Sequence, residues 1–433
     1  MKKILIVGSG ILTQNDAAGI TLRSIFDGID ANYLMGITWG NTDHSAQKSP
    51  IKTINMSYSA LSAGQILDHS CFKSVSRKMK KAEVSTSACK EHHYEHSALR
   101  SAIKNIRQWV ALLPASSNIK ISKKVLADIK DFFPQVIYTV GETVTALRLA
   151  YQLSTMLKIP IVIHFMDNWK HSIEWASNPL LKSYQKRLSK YCDLCYSRTT
   201  ECIAIGDKMA ETYEKESGVK HSVVMNSIDT KAFRCEPKSQ DETTHFLYAG
   251  GLHLGRDQML HDIGVCIDRA CAETGHRAEF SIYTSVDNIT FFENRFKDLK
   301  HTKLIPAVPH DQVCELYKSA DVLVHAESST LDNNDFFKYS VSTKISEYLA
   351  TGRPFLFWGP KDIYLFDFLR ENNLAYTASC IEEAQEIICS MMCECKNKYS
   401  DNAVWYAADN FDIAVARERF HQVIDRVCVG KER

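Results

Sequence analysis

The stretch that decides the fold is SVSTKISEYLATGRPFLFWGP, Ser340–Pro360, towards the end of the chain. It predicts a helix, KISEYLATG, that ends at Gly352, with Pro354 just beyond it as a second stop signal. The apolar run FLFW that follows is typical of a buried strand, and another such strand is predicted at 321–325. Strands that alternate with a helix in this way indicate a parallel sheet covered by helices.

The start of this helix carries the residues that suggest chemistry. Thr343 and Lys344 bring a hydroxyl and a cation to a helix N-terminus, where free backbone N–H groups favour anions. This combination suits a diphosphate, and Glu347, one turn further on, could accept hydrogen bonds from a ribose beside it. A structural alternative, in which Glu347 pairs with Lys344, stays open.

The same alternation extends along the chain and predicts an α/β fold with two doubly wound, Rossmann-like domains. The polar segment 236–244 is the best linker candidate, because it cannot contribute to a core. Ligands of open parallel sheets bind at the carboxyl ends of the strands, so we expect a cleft between the domains. The runs interpreted as strands include KKILIV, NYLMGIT, QVIYTV, IPIVIHF, HSVVMN, THFLYAG, AEFSIYT, DVLVHA and RPFLFW.

Composition narrows the class of protein. The 433 residues include 52 basic and 51 acidic side chains, a balance that argues against a nucleic-acid binder. The 14 cysteines include the pairs CDLC (Cys192 and Cys195) and CEC (Cys393 and Cys395), but no second Cys/His pair stands at zinc-site spacing from either, so they are interpreted as reduced thiols of a cytoplasmic protein. Neither a signal peptide nor a membrane span is predicted, since the tract 149–166 is broken by polar residues and a proline.

The N-terminal sequence KKILIVGSGILTQNDAAG begins like a dinucleotide-binding fingerprint but departs from it. Thr13 stands where the third glycine of that fingerprint is required, and the next glycine is Gly19. The dinucleotide-binding interpretation is therefore disfavoured, and an ordinary strand-to-helix turn stays open.

Five segments together resemble retaining glycosyltransferases with the GT-B fold, and more narrowly family 4 enzymes of bacterial capsule, exopolysaccharide and lipopolysaccharide assembly. The matches occur in the family's order and span nearly the whole chain. They are IPIVIHFMDNW, KYCDLCYSRTTECIAIGDKMAETYEKESG, VVMNSIDTKAF, FLYAGGLHLGRDQML and SVSTKISEYLATGRPFLFWGP.

This resemblance implies roles for particular residues on both sides of the cleft. In this fold the loop after the first strand faces the cleft, so Gly10 and Gly19 would admit the close approach of a donor phosphate or an acceptor sugar. His164 would lie near the transferred sugar, with Asp167 orienting it or the acceptor. Glu347 would hold the nucleotide ribose. The implied donor site also contains the glycine loop and the groups around the diphosphate, namely Gly250, Gly251, Arg256, Thr343 and Lys344.

The implied activity is transfer of a sugar from a nucleoside-diphosphate sugar to a saccharide acceptor that is linked to a lipid, with retention of configuration. Arg256 and Lys344 would stabilise the charge that develops on the leaving diphosphate. We expect neither a metal requirement nor a cofactor. The implied domains are an acceptor-binding domain at 1–235, a donor-binding domain at 244–410 and a C-terminal helix at 411–433 that packs on the first domain.

Two departures from the family keep alternatives open. Tyr339 stands where most members have a first glutamate, and only Arg256 follows the glycine loop, where members carry an arginine and a lysine. The first alternative is a nucleotide-sugar epimerase of the same fold. The second is a non-catalytic scaffold protein.

One segment is strongly basic. From Lys73 to Lys130 there are thirteen Lys/Arg and four Asp/Glu, a net charge of +9. Within it, 98–113 predicts an amphipathic helix with Trp109 on its apolar face and Arg100, Lys104 and Arg107 towards the other. Such a helix suits peripheral contact with the anionic inner face of a membrane, and equally a core-facing helix with a solvated basic side.

Overall fold

The computed structural model describes residues 1–8, 12, 17–39, 51–56, 118–171, 179–236, 242–253, 255–328, 339, 341–394 and 399–429. Gly10 and the predicted basic helix at 98–113 lie outside these residues, so peripheral membrane contact stays a prediction. None of the described helices combines the length and the apolar character that crossing a bilayer requires.

The first sheet is wholly parallel and has the strand order β3-β2-β1-β4-β5-β6-β7. The order reverses direction beside β1, which is the topology of a doubly wound sheet. Its inner strands are buried on both faces because helices cover both sides, whereas its two edge strands, Lys52–Met56 and Lys220–Val223, keep exposed and half-buried residues. The strands are β1 (Ile4–Val7), β2 (Leu34–Trp39), β3 (Lys52–Met56), β4 (Val136–Val140), β5 (Ile161–Phe165), β6 (Glu201–Ala204) and β7 (Lys220–Val223).

The second sheet repeats this plan with six parallel strands in the order β10-β9-β8-β11-β12-β13. It begins at Thr243, so the last two residues of the predicted linker belong to a strand. Two such sheets confirm the predicted α/β fold with two Rossmann-like units. The strands are β8 (Thr243–Ala249), β9 (Arg277–Thr284), β10 (Thr302–Pro306), β11 (Val322–Ala326), β12 (Phe355–Trp358) and β13 (Tyr376–Ala378).

Helices alternate with the strands in both units. Those described in the first unit are α1 (Ala17–Phe26), α2 (Lys123–Phe132), α3 (Val144–Leu157), α4 (Pro179–Tyr196) and α5 (Asp207–Ser217), and the short α6 (Thr230–Phe233) follows β7. Those that follow the start of the second sheet in the chain are α7 (Arg256–Thr274), α8 (Val286–Phe296), α9 (Val313–Ser319), α10 (Thr343–Thr351), α11 (Tyr364–Glu371), α12 (Ile381–Glu394), α13 (Ser400–Asn410) and α14 (Ile413–Val429).

Helix α14 packs on the first sheet, although it follows the second sheet in the chain. Its apolar face shares a core with α1 and with strands β1, β4 and β5. The guanidinium of Arg426 donates to both carboxylate oxygens of Glu201 in β6, at 2.8 Å each. The chain therefore returns to the first unit before its last helix.

The chain crosses between the units twice, and the two crossings contact each other. Ile228 pairs with Asp412 in an isolated parallel bridge, and Thr230 donates to the Asp412 carboxylate at 2.6 Å. Asn226 accepts a hydrogen bond from Thr21 of α1 and donates one to the carbonyl of Val341, just before α10. These bonds hold the carboxyl ends of the two sheets towards a common cleft.

Candidate active site

The candidate site lies at the carboxyl ends of β8 and β11, where α7 and α10 begin. Gly255, the N-cap residue of α7, has φ 75°, a left-handed conformation that glycine adopts without strain. Ser342, the N-cap residue of α10, makes no side-chain capping bond within the described part of the chain. Two helix N-termini therefore present backbone N–H groups at one edge of the sheet, an arrangement that favours an anion.

Helix α10 begins one residue earlier than the sequence predicts. Thr343 and Lys344 are its first two residues, not the end of a loop. Both side chains are half-buried. Their backbone amides consequently belong to the first turn, where intrahelical partners are missing.

The glycines after β8 make room for side chains. A Cβ atom on Gly250 would lie 2.7 Å from Cε of Lys344 and 2.8 Å from the hydroxyl of Tyr248. A Cβ atom on Gly251 would clash with the ring of His253. Glycine at 250 is thus what allows the Lys344 side chain to cross the end of β8.

Lys344 is the cation of this site with the least compensation. No hydrogen bond or ion pair joins its ammonium group to another described residue. Burial lowers its pKa, and the charge of Arg256 lowers it further, while Glu347 and Glu327 act in the opposite direction. An anionic ligand would therefore gain a strong interaction with this group.

Arg256 is already paired. Its Nη2 donates to both carboxylate oxygens of Glu327, at 2.7 and 2.8 Å, and its Nε donates to the carbonyl of Ala326 at 3.2 Å. His325 Nε2 lies 2.9 Å from Oε1 of the same carboxylate. Burial opposes ionisation of Glu327, but the Arg256 charge and the bond from His325 outweigh it and lower its pKa to about 2.

Glu327 and His325 are not among the site residues predicted from the sequence. Their position could have indicated them, because His325 lies near the end of β11 and Glu327 directly follows it, at the edge where ligands of parallel sheets bind. His253, in the glycine loop, was also missed. Burial, together with the charges of Arg256 and Lys344, lowers its pKa to about 4, so the imidazole is neutral.

Glu347 lies one turn into α10 and is only 8% exposed. The hydroxyl of Tyr317 donates to its Oε2 at 3.2 Å. The ion pair with Lys344 that the sequence left open is absent among the described contacts, although the two charges influence each other. A ribose contact would have to share the carboxylate with Tyr317.

His164 lies across the cleft in β5 and is fully buried. Its Nδ1 is 2.7 Å from the hydroxyl of Tyr138 on the neighbouring strand β4. Burial lowers its pKa to about 3, partly offset by the carbonyl of Val224, so the ring is neutral. Asp167 follows β5 in a turn and is half-buried. A sugar could reach His164 only if the groups that cover it move.

Gly19 is placed differently from the prediction. It lies in the first turn of α1 and is buried, whereas the sequence predicts a loop at this position. The helix begins at Ala17 because the polar residues before it give way to an apolar stretch. Gly19 could therefore affect ligand access only through the way α1 packs.

Tyr339, at the position of the missing first glutamate, lines a cavity of about 410 Å³ between the two units. It also packs against the core of the first unit. The lining of this cavity includes five acidic side chains. They are Asp207 and Glu211 from α5 and Asp362, Asp367 and Glu371 from the region of α11.

Two parallel doubly wound sheets, with their carboxyl ends towards one cleft, define a protein of the GT-B fold. The chain is similar to the crystal structure of HepE from Anabaena in complex with UDP, at 12% sequence identity and a TM-score of 0.61, over 99% of this chain and 100% of that one. It is also similar to sucrose-phosphate synthase from Thermosynechococcus elongatus, at 9% identity and a TM-score of 0.58, over 98% of each chain.

A third similar structure is UDP-GlcNAc 2-epimerase from Neisseria meningitidis bound to UDP-GlcNAc. It has 12% identity and a TM-score of 0.51, over 98% of this chain and 100% of that one. No protein-family model and no curated protein matches the sequence. The structural similarity over nearly the whole chain confirms the GT-B fold. At these low sequence identities, membership of family 4 stays a prediction.

Proposed function

We propose that the protein is a glycosyltransferase that moves a sugar from a nucleoside-diphosphate sugar to a saccharide acceptor. The observation that carries this proposal is the placement of Lys344 at the start of α10 and against Gly250, where no described residue forms a hydrogen bond or an ion pair with its ammonium group. A cation and helix N–H groups together suit a diphosphate. Similar structures have been solved with UDP and with UDP-glucose, which supports a donor of this class.

The proposed mechanism depends on charge at the diphosphate. Cleavage of the bond between the anomeric carbon and the phosphate oxygen leaves negative charge on the leaving group. Lys344 and the first-turn amides of α10 would stabilise that charge more in the transition state than in the ground state, which is the condition for catalysis. Arg256 would add a second cation once it is free to turn towards the phosphates.

The finer assignments come from the sequence resemblance. We propose a lipid-linked acceptor in bacterial surface polysaccharide assembly, retention of configuration and a cytoplasmic location. We also propose that residues 1–235 bind the acceptor and residues 244–410 the donor. The contacts of α14 with the first sheet support assigning 411–433 to the first unit.

A two-step experiment tests the activity. A panel of nucleoside-diphosphate sugars is first screened for a thermal shift of the protein, and each stabilising sugar is then incubated with candidate acceptors. A gain in acceptor mass equal to one sugar residue supports transfer. Isomerisation of the donor at unchanged mass would favour the epimerase, whose fold the chain shares. Binding without turnover or hydrolysis would favour a scaffold protein.

Replacing Glu347 with alanine is expected to raise the donor KM about tenfold and to change kcat less, because a ribose contact is similar in the ground and transition states. Steady-state kinetics over a range of donor concentrations measures both constants. Tyr317→Phe is the matched control, since it removes the observed partner of Glu347 and keeps the carboxylate. An unchanged donor KM in folded Glu347→Ala protein would make this glutamate purely structural.

Replacing His164 with alanine is expected to lower kcat by about tenfold or more, because small displacements of reacting groups have effects of this size. Nucleotide affinity should stay unchanged, since the first sheet lies across the cleft from the donor site. Calorimetry with UDP and turnover measurements separate the two effects. Tyr138→Phe, which removes only the hydroxyl partner of His164, should act in the same direction and more weakly. Loss of UDP affinity would contradict the proposed placement.

A further inference from the structure

The carboxylate of Glu327 brings a negative charge into a site that otherwise suits an anion. It lies directly after β11 and is 18% exposed, and its partner Arg256 is 12% exposed. Both of its oxygens accept hydrogen bonds from Nη2 of Arg256, and Oε1 also lies within hydrogen-bond distance of His325. A bound diphosphate would therefore have to compete with the Glu327 carboxylate for the guanidinium.

The formal charges of the described residues of this site cancel. Arg256 and Lys344 contribute two positive charges, and Glu327 and Glu347 contribute two negative ones. His253 and His325 are neutral, because burial lowers the pKa of each. A diphosphate that entered this arrangement unchanged would meet no net positive charge and would be repelled by Glu327.

Arg256 has a contact about which it can turn. Its Nε donates to the backbone carbonyl of Ala326, which is fixed in β11, while Nη2 forms the bonds to Glu327. The planar guanidinium can turn as a rigid unit about this Nε–H···O bond, through the torsions of its aliphatic chain, and so exchange one anion for another while the backbone bond stays. A bound phosphate oxygen is the natural second partner, since arginine binds carboxylate and phosphate through the same fork.

We propose that Glu327 is a positioning residue that competes with the diphosphate of a nucleotide for the Arg256 guanidinium, which turns from the carboxylate to the phosphates when a nucleotide binds. This inference rests on the proposed donor site. Its consequence is that Glu327 weakens nucleotide binding and favours release of the nucleoside diphosphate product. A carboxylate that merely supported the fold would have the opposite effect, because its removal would loosen the site.

The test measures binding of inorganic pyrophosphate and of UDP, GDP and ADP by calorimetry. Glu327→Gln should bind pyrophosphate about tenfold more tightly than the wild type, and the gain should shrink as salt screens the charges. Glu383→Gln is the matched control, because that carboxylate pairs with Lys361 and Ser379, outside this cluster, and its loss should change nothing. Equal or weaker binding by folded Glu327→Gln protein overturns the inference and leaves the proposed function intact.

A structure of the wild-type protein with pyrophosphate gives a second measurement that does not depend on a variant. Nη2 of Arg256 should then contact the ligand, with its Nε still bound to the Ala326 carbonyl. An intact ion pair between Arg256 and Glu327 beside bound pyrophosphate would overturn the inference. A wild-type protein that binds neither pyrophosphate nor any of the three nucleotides would overturn both the inference and the donor site on which it rests.

Discussion

Replacing Lys344 with alanine is expected to lower kcat/KM by about two orders of magnitude, the usual effect of removing one group that stabilises transition-state charge. The side chain crosses Gly250, and its ammonium has no partner among the described residues. Replacing this side chain should therefore change the free energy of unfolding little and should strongly weaken the stabilisation of a bound diphosphate. Steady-state kinetics with the donor found by screening measures the effect.

Two variants sharpen this result. Lys344→Met keeps most of the length and packing of the side chain, so a loss as large as that of alanine would assign the effect to the charge. Lys361→Ala is the matched control, because this lysine is 59% exposed and pairs with Glu383. It should behave like the wild type. Near-wild-type kcat/KM in folded Lys344→Ala protein would remove Lys344 from the donor site.

Arg256→Ala should also impair turnover, by up to about the same factor. Its ion pair with Glu327 makes the outcome less direct, since the substitution leaves that carboxylate uncompensated. Part of the measured loss would then come from the freed negative charge. The double variant Arg256→Ala/Glu327→Gln separates the two contributions and should bind nucleotide better than Arg256→Ala alone.

The sequence predicts the elements whose signals are local. The glycine loop after β8 and the start and end of α10 follow from residues that are neighbours in the chain, and the structure has these elements. Strands β3, β6, β10 and β13 were not predicted, because they are short or carry polar residues. Glu201, for example, is buried in β6, where its charge is compensated by Arg426, 225 residues away, and by Lys220 of the neighbouring strand.

The residues of the candidate site differ in the same way, because some have local sequence signals and others do not. Lys344 could be identified because a lysine at a predicted helix start is a local pattern. Glu327 could not, because its partner Arg256 lies 71 residues earlier and reaches it only when β8 and β11 become neighbours. The sequence likewise could not show that His164 is fully buried. An apolar strand predicts burial of both faces, but not which element covers a polar residue at its end.

The last helix provides the largest expected effect on stability. Phe420 of α14 is fully buried and contacts the rings of Phe26 and Tyr138 edge to face, with centroids 5.3 and 5.7 Å apart. Replacing it with alanine is expected to lower the free energy of unfolding by about 3–5 kcal/mol, because the substitution removes buried apolar surface and leaves a cavity. Urea denaturation measures the change.

Val429→Ala is the control on the same helix, since Val429 is 62% exposed and its truncation should change stability by no more than about 0.5 kcal/mol. An equally small effect of Phe420→Ala would mean that α14 contributes little to the first unit, against the proposed assignment of 411–433. The Tyr138 ring also contacts His164, with centroids 6.1 Å apart. A cavity at Phe420 should therefore loosen the His164 position and lower kcat in the protein that stays folded, while UDP affinity, which we propose to depend on the second unit, stays unchanged.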